Sequence, residues 1–121
     1  MRFIVITSDP HIIGAAKEGF HPSDEALFFD NWRDALEKAA GADMMFVDLL
    51  DTIKEAHKIQ GYEEFAEAKM AHATAASVPL VLINAPDDYD IDSMVGWPDF
   101  LFGNIRRPVT SKVIRRMTTY V

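Results

Sequence analysis

The chain has 121 residues, no cysteine, and 12 lysines and arginines against 19 aspartates and glutamates, a formal net charge of −7. That length fills one domain, and 49% apolar with 26% charged residues is the balance of a folded globule rather than a disordered chain. Without cysteine there is no disulfide framework, thiolate metal site or cysteine nucleophile; the apolar runs are too short to span a membrane; and an acidic chain is a poor non-specific binder of nucleic acid. No charged-then-apolar-then-small leader opens the sequence, so the expectation is a single domain over 1–121, with no effector domain and a cytoplasmic location. The charge is unevenly spread. Residues 1–99 hold all 19 acids and 7 bases, whereas residues 100–121 hold 5 bases (Arg106, Arg107, Lys112, Arg115, Arg116) and no acid.

In chain order, Phe3-Ile4-Val5-Ile6 is a continuous apolar run ending at Thr7-Ser8-Asp9, the pattern of a strand buried on both faces. Asp9-Pro10 offers an N-cap with proline at the first helical position, opening a helix through Ile12, Ile13 and Ala16. A weaker strand lies at Ala26–Phe29. Asn31 through Ala40 carries Ala35, Leu36 and Ala39 on one helical face, with Gly41 as its stop. Met44–Val47 reads as a third strand, ending at Asp48. Tyr62 through Ala76 is an alanine-rich helix, and Val78–Ile83 a fourth strand ending at Asn84. The segment around Asp90–Val95 has the weakest signal, and a fifth strand falls at Phe100–Phe102. The end, Thr110–Tyr120, places Val109, Val113, Met117 and Val121 four apart, with Ile114 beside them. Alternating strands and helices in so short a chain predict a single (βα)5 α/β domain, a five-stranded parallel sheet with helices on both faces. In such sheets chemistry gathers just beyond the carboxyl ends of the strands.

At those positions the chain resembles the receiver domain of two-component response regulators (CheY-like). Phe3-Ile-Val-Ile-Thr-Ser-Asp-Pro10 is similar to that family's first strand, where an acidic pair follows the apolar run. Asn31-Trp-Arg-Asp-Ala-Leu36 sits where the family has a Gly-Glu-Glu-Ala-Leu-like helix start. Asp43-Met-Met-Phe-Val-Asp48 resembles the run that ends in the phosphorylated aspartate. Val78-Pro79 through Asn84-Ala85 resembles the Ile-Pro strand ending in Thr/Ser-Ala, and Arg107-Pro108 the Lys-Pro pair before the last helix. The resemblance covers nearly the whole chain and implies a flavodoxin-like fold and a part in two-component signal transduction rather than enzymatic activity.

It also implies what an active member needs. An aspartate accepts a phosphoryl group, and the developing charge is stabilised by Mg²⁺ on the acidic pair, by a lysine and by a hydroxyl. Here the acidic pair falls on neutral Thr7 and Ser8, the hydroxyl on Asn84 and the lysine on Arg107, which keeps the charge but not the ammonium geometry. Asp48 alone is unchanged, as a vestigial acceptor or as a structural partner for Arg107. Asp9 and Asp51 lie near enough in sequence to reach a metal, although Asp before Pro is also what a helix N-cap looks like.

The interval from Asp48 to Asn84 is longer than the family's, which places an enlargement in Leu49–Gln60, with Thr52–Ile59 able to form an extra turn or two and to cover Asp48. Extra residues also precede Arg107. Either 103–106 is inserted after the strand and Phe100 takes the place of the family's switch aromatic, or the strand is Leu101–Ile105 and Asn104 takes it. Neither residue supplies a tyrosine hydroxyl.

His11, His21, His57 and His72 show no metal-ligand spacing. The acidic stretch 87–92 lacks the glycine and closing glutamate of a calcium loop and reads as a solvated turn capping the fourth helix. On the last helix, Lys112, Arg115 and Arg116 would project outward. Together with Arg106, Trp97 and Phe100 they would form a partner face, matching the fourth-helix, fifth-strand and last-helix surface that receivers use.

The leading expectation is a stand-alone pseudo-receiver, acting through a protein partner or a homodimer, independent of phosphorylation and of any cofactor, and not a direct nucleic-acid or membrane binder. The alternatives are a phosphorylatable single-domain regulator, with Mg²⁺ on a rearranged site, and a flavodoxin-like small-molecule binder.

Overall fold

The computed structural model describes residues 1–53, 60–84 and 102–120. Five parallel strands, β1 (Arg2–Ile6), β2 (Glu25–Phe29), β3 (Met44–Asp48), β4 (Leu80–Ile83) and β5 (Gly103–Ile105), form one sheet in the order β2-β1-β3-β4-β5. The helices are α1 (Pro10–Gly19), α2 (Trp32–Glu37), α3 (Gln60–Ala71) and α4 (Ser111–Thr118), with a 3₁₀ turn at Leu49–Asp51. This is the expected flavodoxin-like α/β architecture. The weak segment at 90–95, with the acidic stretch 87–92, lies outside the described residues, as do Trp97, Phe100 and the stretch 54–59 in which extra helical turns were expected.

The alternating projection of strand side chains divides the core in two. Ile4, Ile6, Met45, Val47, Leu80 and Leu82 pack with Trp32, Leu36 and Phe65 from α2 and α3. Phe3, Val5, Met44, Phe46, Val81 and Ile83 face the other way, against Ile12 and Ala16 of α1 and Ile114 of α4. Phe3 stacks on Phe20 at 4.7 Å between ring centroids, and Phe46 closes the cluster edge-on. Both faces being covered explains why β1, β3 and β4 read as unbroken apolar runs.

The local signals place the helices. The Asp9 side chain accepts from His11 N at the start of α1, Asn31 from Arg33 N at α2, and Thr110 from Val113 N at α4. Gly41, at φ +78°, supplies the left-handed residue that leads into β3. Gly19 lets α1 and α4 approach so closely that a Cβ there would sit 2.7 Å from the Ser111 carbonyl oxygen.

Three boundaries depart from the sequence reading. Helix α2 ends at Glu37 rather than Ala40. Helix α3 runs from Gln60 and ends at Ala71, not Ala76, because the His72 ring takes the Thr74 and Ala75 backbone N–H groups that a continuing helix would use. The fifth strand is Gly103–Ile105 rather than Phe100–Phe102, its register set by pairing with Val81–Ile83. Asn104 therefore lies within the strand, and its side chain is exposed.

Candidate functional site

The strand order reverses between β1 and β3, so a crevice is expected beyond their carboxyl ends. Thr7, Ser8 and Asp9 follow β1, Asp48 ends β3, Asn84 follows β4, and Arg107 lies two residues beyond β5. The fold brings all of them to one place, with Asp51 beside them on the 3₁₀ turn.

Asp48 is 1% exposed. Its Oδ2 accepts from the Thr7 hydroxyl at 2.9 Å, and its Oδ1 accepts from Leu50 N at 3.1 Å. The Arg107 guanidinium completes the set, donating from Nη2 to Oδ1 of Asp48 in an ion pair. Burial, the largest influence on this carboxyl, raises it above its ordinary 3.8; the Arg107 hydrogen bond and charge, then Thr7 and Leu50, pull it down without reversing the direction.

Arg107 makes three bonds from one planar group. Besides Asp48, it donates from Nη1 to Asp9 Oδ2 at 3.4 Å and from Nε to the Asn84 carbonyl at 2.9 Å. A lysine, with donors on a single nitrogen, could not spread across the ends of β1, β3 and β4 in this way. Asn84 takes part through its backbone: its carbonyl meets Arg107 and its N–H bonds Ile105 O at 2.8 Å.

The two spare carboxylates are also engaged. Asp9 caps α1 with Oδ1 while Oδ2 meets Arg107. Asp51 receives both Ser8 N, at 2.9 Å, and Ser8 Oγ, at 2.7 Å, tying the β1–α1 connection to the turn after β3. Among the described residues no group of three or more His, Asp or Glu side chains is placed to hold a metal ion. Neutral hydroxyls, at Thr7 and Ser8, stand where the resemblance puts the two carboxylates of a hydrated Mg²⁺, and the remaining carboxylates face a guanidinium or a hydroxyl and an amide. The donor set of the described residues does not fit the ion.

Of the expected partner face, Arg106, Lys112, Arg115 and Arg116 are exposed, and Trp97 and Phe100 lie outside the described residues. Arg115 does more than face solvent. Its Nε and Nη2 reach the Gly19 and Glu18 carbonyls, each at 3.4 Å, at the C-terminus of α1. Sequence reasoning also missed His11, whose Nε2 lies 3.0 Å from the Val109 carbonyl and joins the start of α1 to the segment after Arg107. Thr7 is not only a missing acid: its hydroxyl is a donor to Asp48. The signal was present in the sequence: Thr7 and Ser8 each put a hydroxyl, which donates to a carboxylate, where the resemblance implies an acid that a cation would bind. A cleft of about 1020 Å³ opens at the opposite end of the sheet, bounded by Lys17, Phe20, His21, Phe28 and Arg115, and includes none of the site residues.

No protein-family model matches the chain, and no curated protein matches it in sequence. In structure it is similar to a response regulator receiver domain protein (CheY-like) from Methanospirillum hungatei JF-1. The TM-score is 0.71 at 14% identity, over 98% of this chain and 91% of that one. No helix of the described residues is long and apolar enough to cross a membrane. With strand order β2-β1-β3-β4-β5 and an aspartate closing β3, this chain has the fold of a CheY-like receiver domain.

Proposed function

We propose that this chain is a pseudo-receiver: a signalling module that works through protein contacts, without Mg²⁺-dependent phosphorylation of Asp48 and without a cofactor or an enzymatic activity of its own. The observation that carries the reading is the Asp48–Arg107 ion pair. A phosphoryl group joined to Asp48 would have to displace the guanidinium from Oδ1 or the Thr7 hydroxyl from Oδ2, because both oxygens of the carboxylate are engaged. It would also need a countercharge for its oxygens, and the carboxylates that could recruit one are held by Arg107 and Ser8. Partner contact falls to the exposed cations Arg106, Lys112 and Arg116, the basic end of an otherwise acidic chain. Their complement is an acidic surface on another protein in the cytoplasm or on a second copy.

The test is incubation with Mg²⁺ and either acetyl phosphate or beryllofluoride, followed by intact mass and amide NMR spectra. The expected result is an unchanged mass and no shifts at Thr7, Asp48 or Asn84. A stable adduct that disappears in Asp48→Asn would overturn the reading in favour of a phosphorylatable regulator.

A further inference from the structure

We infer that His72 is a proton-operated latch on the turn between α3 and β4. The residue follows the last turn of α3, and its ring is turned back on the chain. Nδ1 lies 3.3 Å from Thr74 N and 3.2 Å from Ala75 N, both of which can only donate. Nδ1 must therefore present its lone pair, which puts the ring proton of the neutral imidazole on Nε2. Nε2 lies 3.4 Å from Oε1 of Glu37 on α2. The Thr74 hydroxyl, 3.3 Å from Nδ1, is free to rotate and can donate to the neutral ring or accept from the protonated one.

Protonation changes one end of the ring and not the other. A second proton must go to Nδ1, where it meets two backbone N–H groups; the acceptor becomes a donor and the turn loses its cap. At Nε2 the Glu37 carboxylate, 3.4 Å away, then faces a full charge. The neutral ring thus holds the turn, and the cation releases it.

Among the described residues, the charged groups at this helix interface are these. Glu37 faces the ring from α2, and Arg33 of α2 pairs with Glu64 of α3 at 3.9 Å across the same helix interface. On its own helix Lys69 is buried and donates from Nζ to the Val78 carbonyl at 2.6 Å, holding the far end of the same turn. Lysine donates in either protonation state, so that bond does not oppose the latch. What the latch governs is the approach to β4: the turn leads through Val78 to Pro79, whose carbonyl receives Met45 N of β3 at 2.8 Å.

Two measurements on the whole chain test this. Long-range ¹⁵N–¹H spectra of the His72 ring at neutral pH are expected to show the proton on Nε2. Amide exchange, corrected for the intrinsic pH dependence of the rate, is expected to show protection at Thr74 and Ala75 falling about fivefold on going from neutral to mildly acidic solution, the weight of one net hydrogen bond. His72→Asn supplies the control, since its side-chain oxygen accepts from the same N–H groups and does not titrate; protection there is expected to be independent of pH. A proton on Nδ1 at neutral pH, or the same acid-induced loss in His72→Asn, would overturn the inference.

Discussion

Asp48 and Arg107 lie 59 residues apart in sequence and meet with the carboxylate buried. A guanidinium stays protonated at any accessible pH, so the response of the pair to acid is carried by the carboxyl, which burial raises above its ordinary value. The folded state then binds the proton more tightly than the unfolded one. Stability from this group is complete below about pH 4 and is lost as pH rises through the folded value. Urea unfolding from acid to neutral pH is expected to show that decline, and Asp48→Asn to remove it. Arg107→Ala leaves a buried carboxylate without its countercharge, with an expected loss of about 3 kcal/mol at neutral pH. It also removes the largest influences that lower the carboxyl, so the ¹³C titration of Asp48 is expected to move further up. Lys69 has the opposite sign. Burial pushes it down to about 8 from 10.5, so the unfolded state holds the extra proton between these values and stability rises with pH across them. Lys69→Met is expected to flatten that rise in alkaline urea titrations.

Among the elements, the strands and caps were legible because each is specified locally. Unbroken apolar runs at 3–6, 44–47 and 80–83 have no stable place except between two layers of helix, and Asp9, Asn31 and Thr110 cap whatever follows them. The end of α3 was not legible, since alanine favours helix at every position and only the folded turn brings the His72 ring onto Thr74 and Ala75. The last strand was obscure for a different reason. Gly103 and Asn104 are poor strand formers, and their register comes from β4. The site was half legible: position identified which residues would assemble, but whether Thr7 and Arg107 were losses or replacements depended on where their donors point. The contact of α1 with α4 offers a test of element packing. Gly19→Ala places a methyl against the Ser111 carbonyl and Ile114, and is expected to cost about 1–3 kcal/mol in thermal or urea unfolding.

At the scale of the molecule, the sheet order sets a gradient of stability. β1 and β3 are flanked by strands on both sides and by core on both faces, whereas β5 is an edge of three residues. Native-state exchange is expected to show the amides of Ile4–Ile6 and Met45–Val47 opening only with global unfolding, and those of Gly103–Ile105 at a lower free energy. If the slow amides were instead those of β5, the connection through Arg107 to β3 would be holding that edge more firmly than strand pairing does.

The charge inventory of the strand-end crevice has a consequence for encounter rather than bonding. Among the described residues, Asp9 and Asp48 share a single guanidinium and Asp51 is held by Ser8 beside them, so three ionised carboxylates against one cation leave an excess of two negative charges. These carboxylates repel a small phosphate ester or acyl phosphate, and that repulsion is strongest in dilute salt, where the Debye length is greatest. The same field favours cationic visitors at this mouth, while Lys112 and Arg116 on α4 favour anionic ones. The molecule thus sorts the solutes and surfaces it meets by sign, with the two preferences set at different places on one small domain.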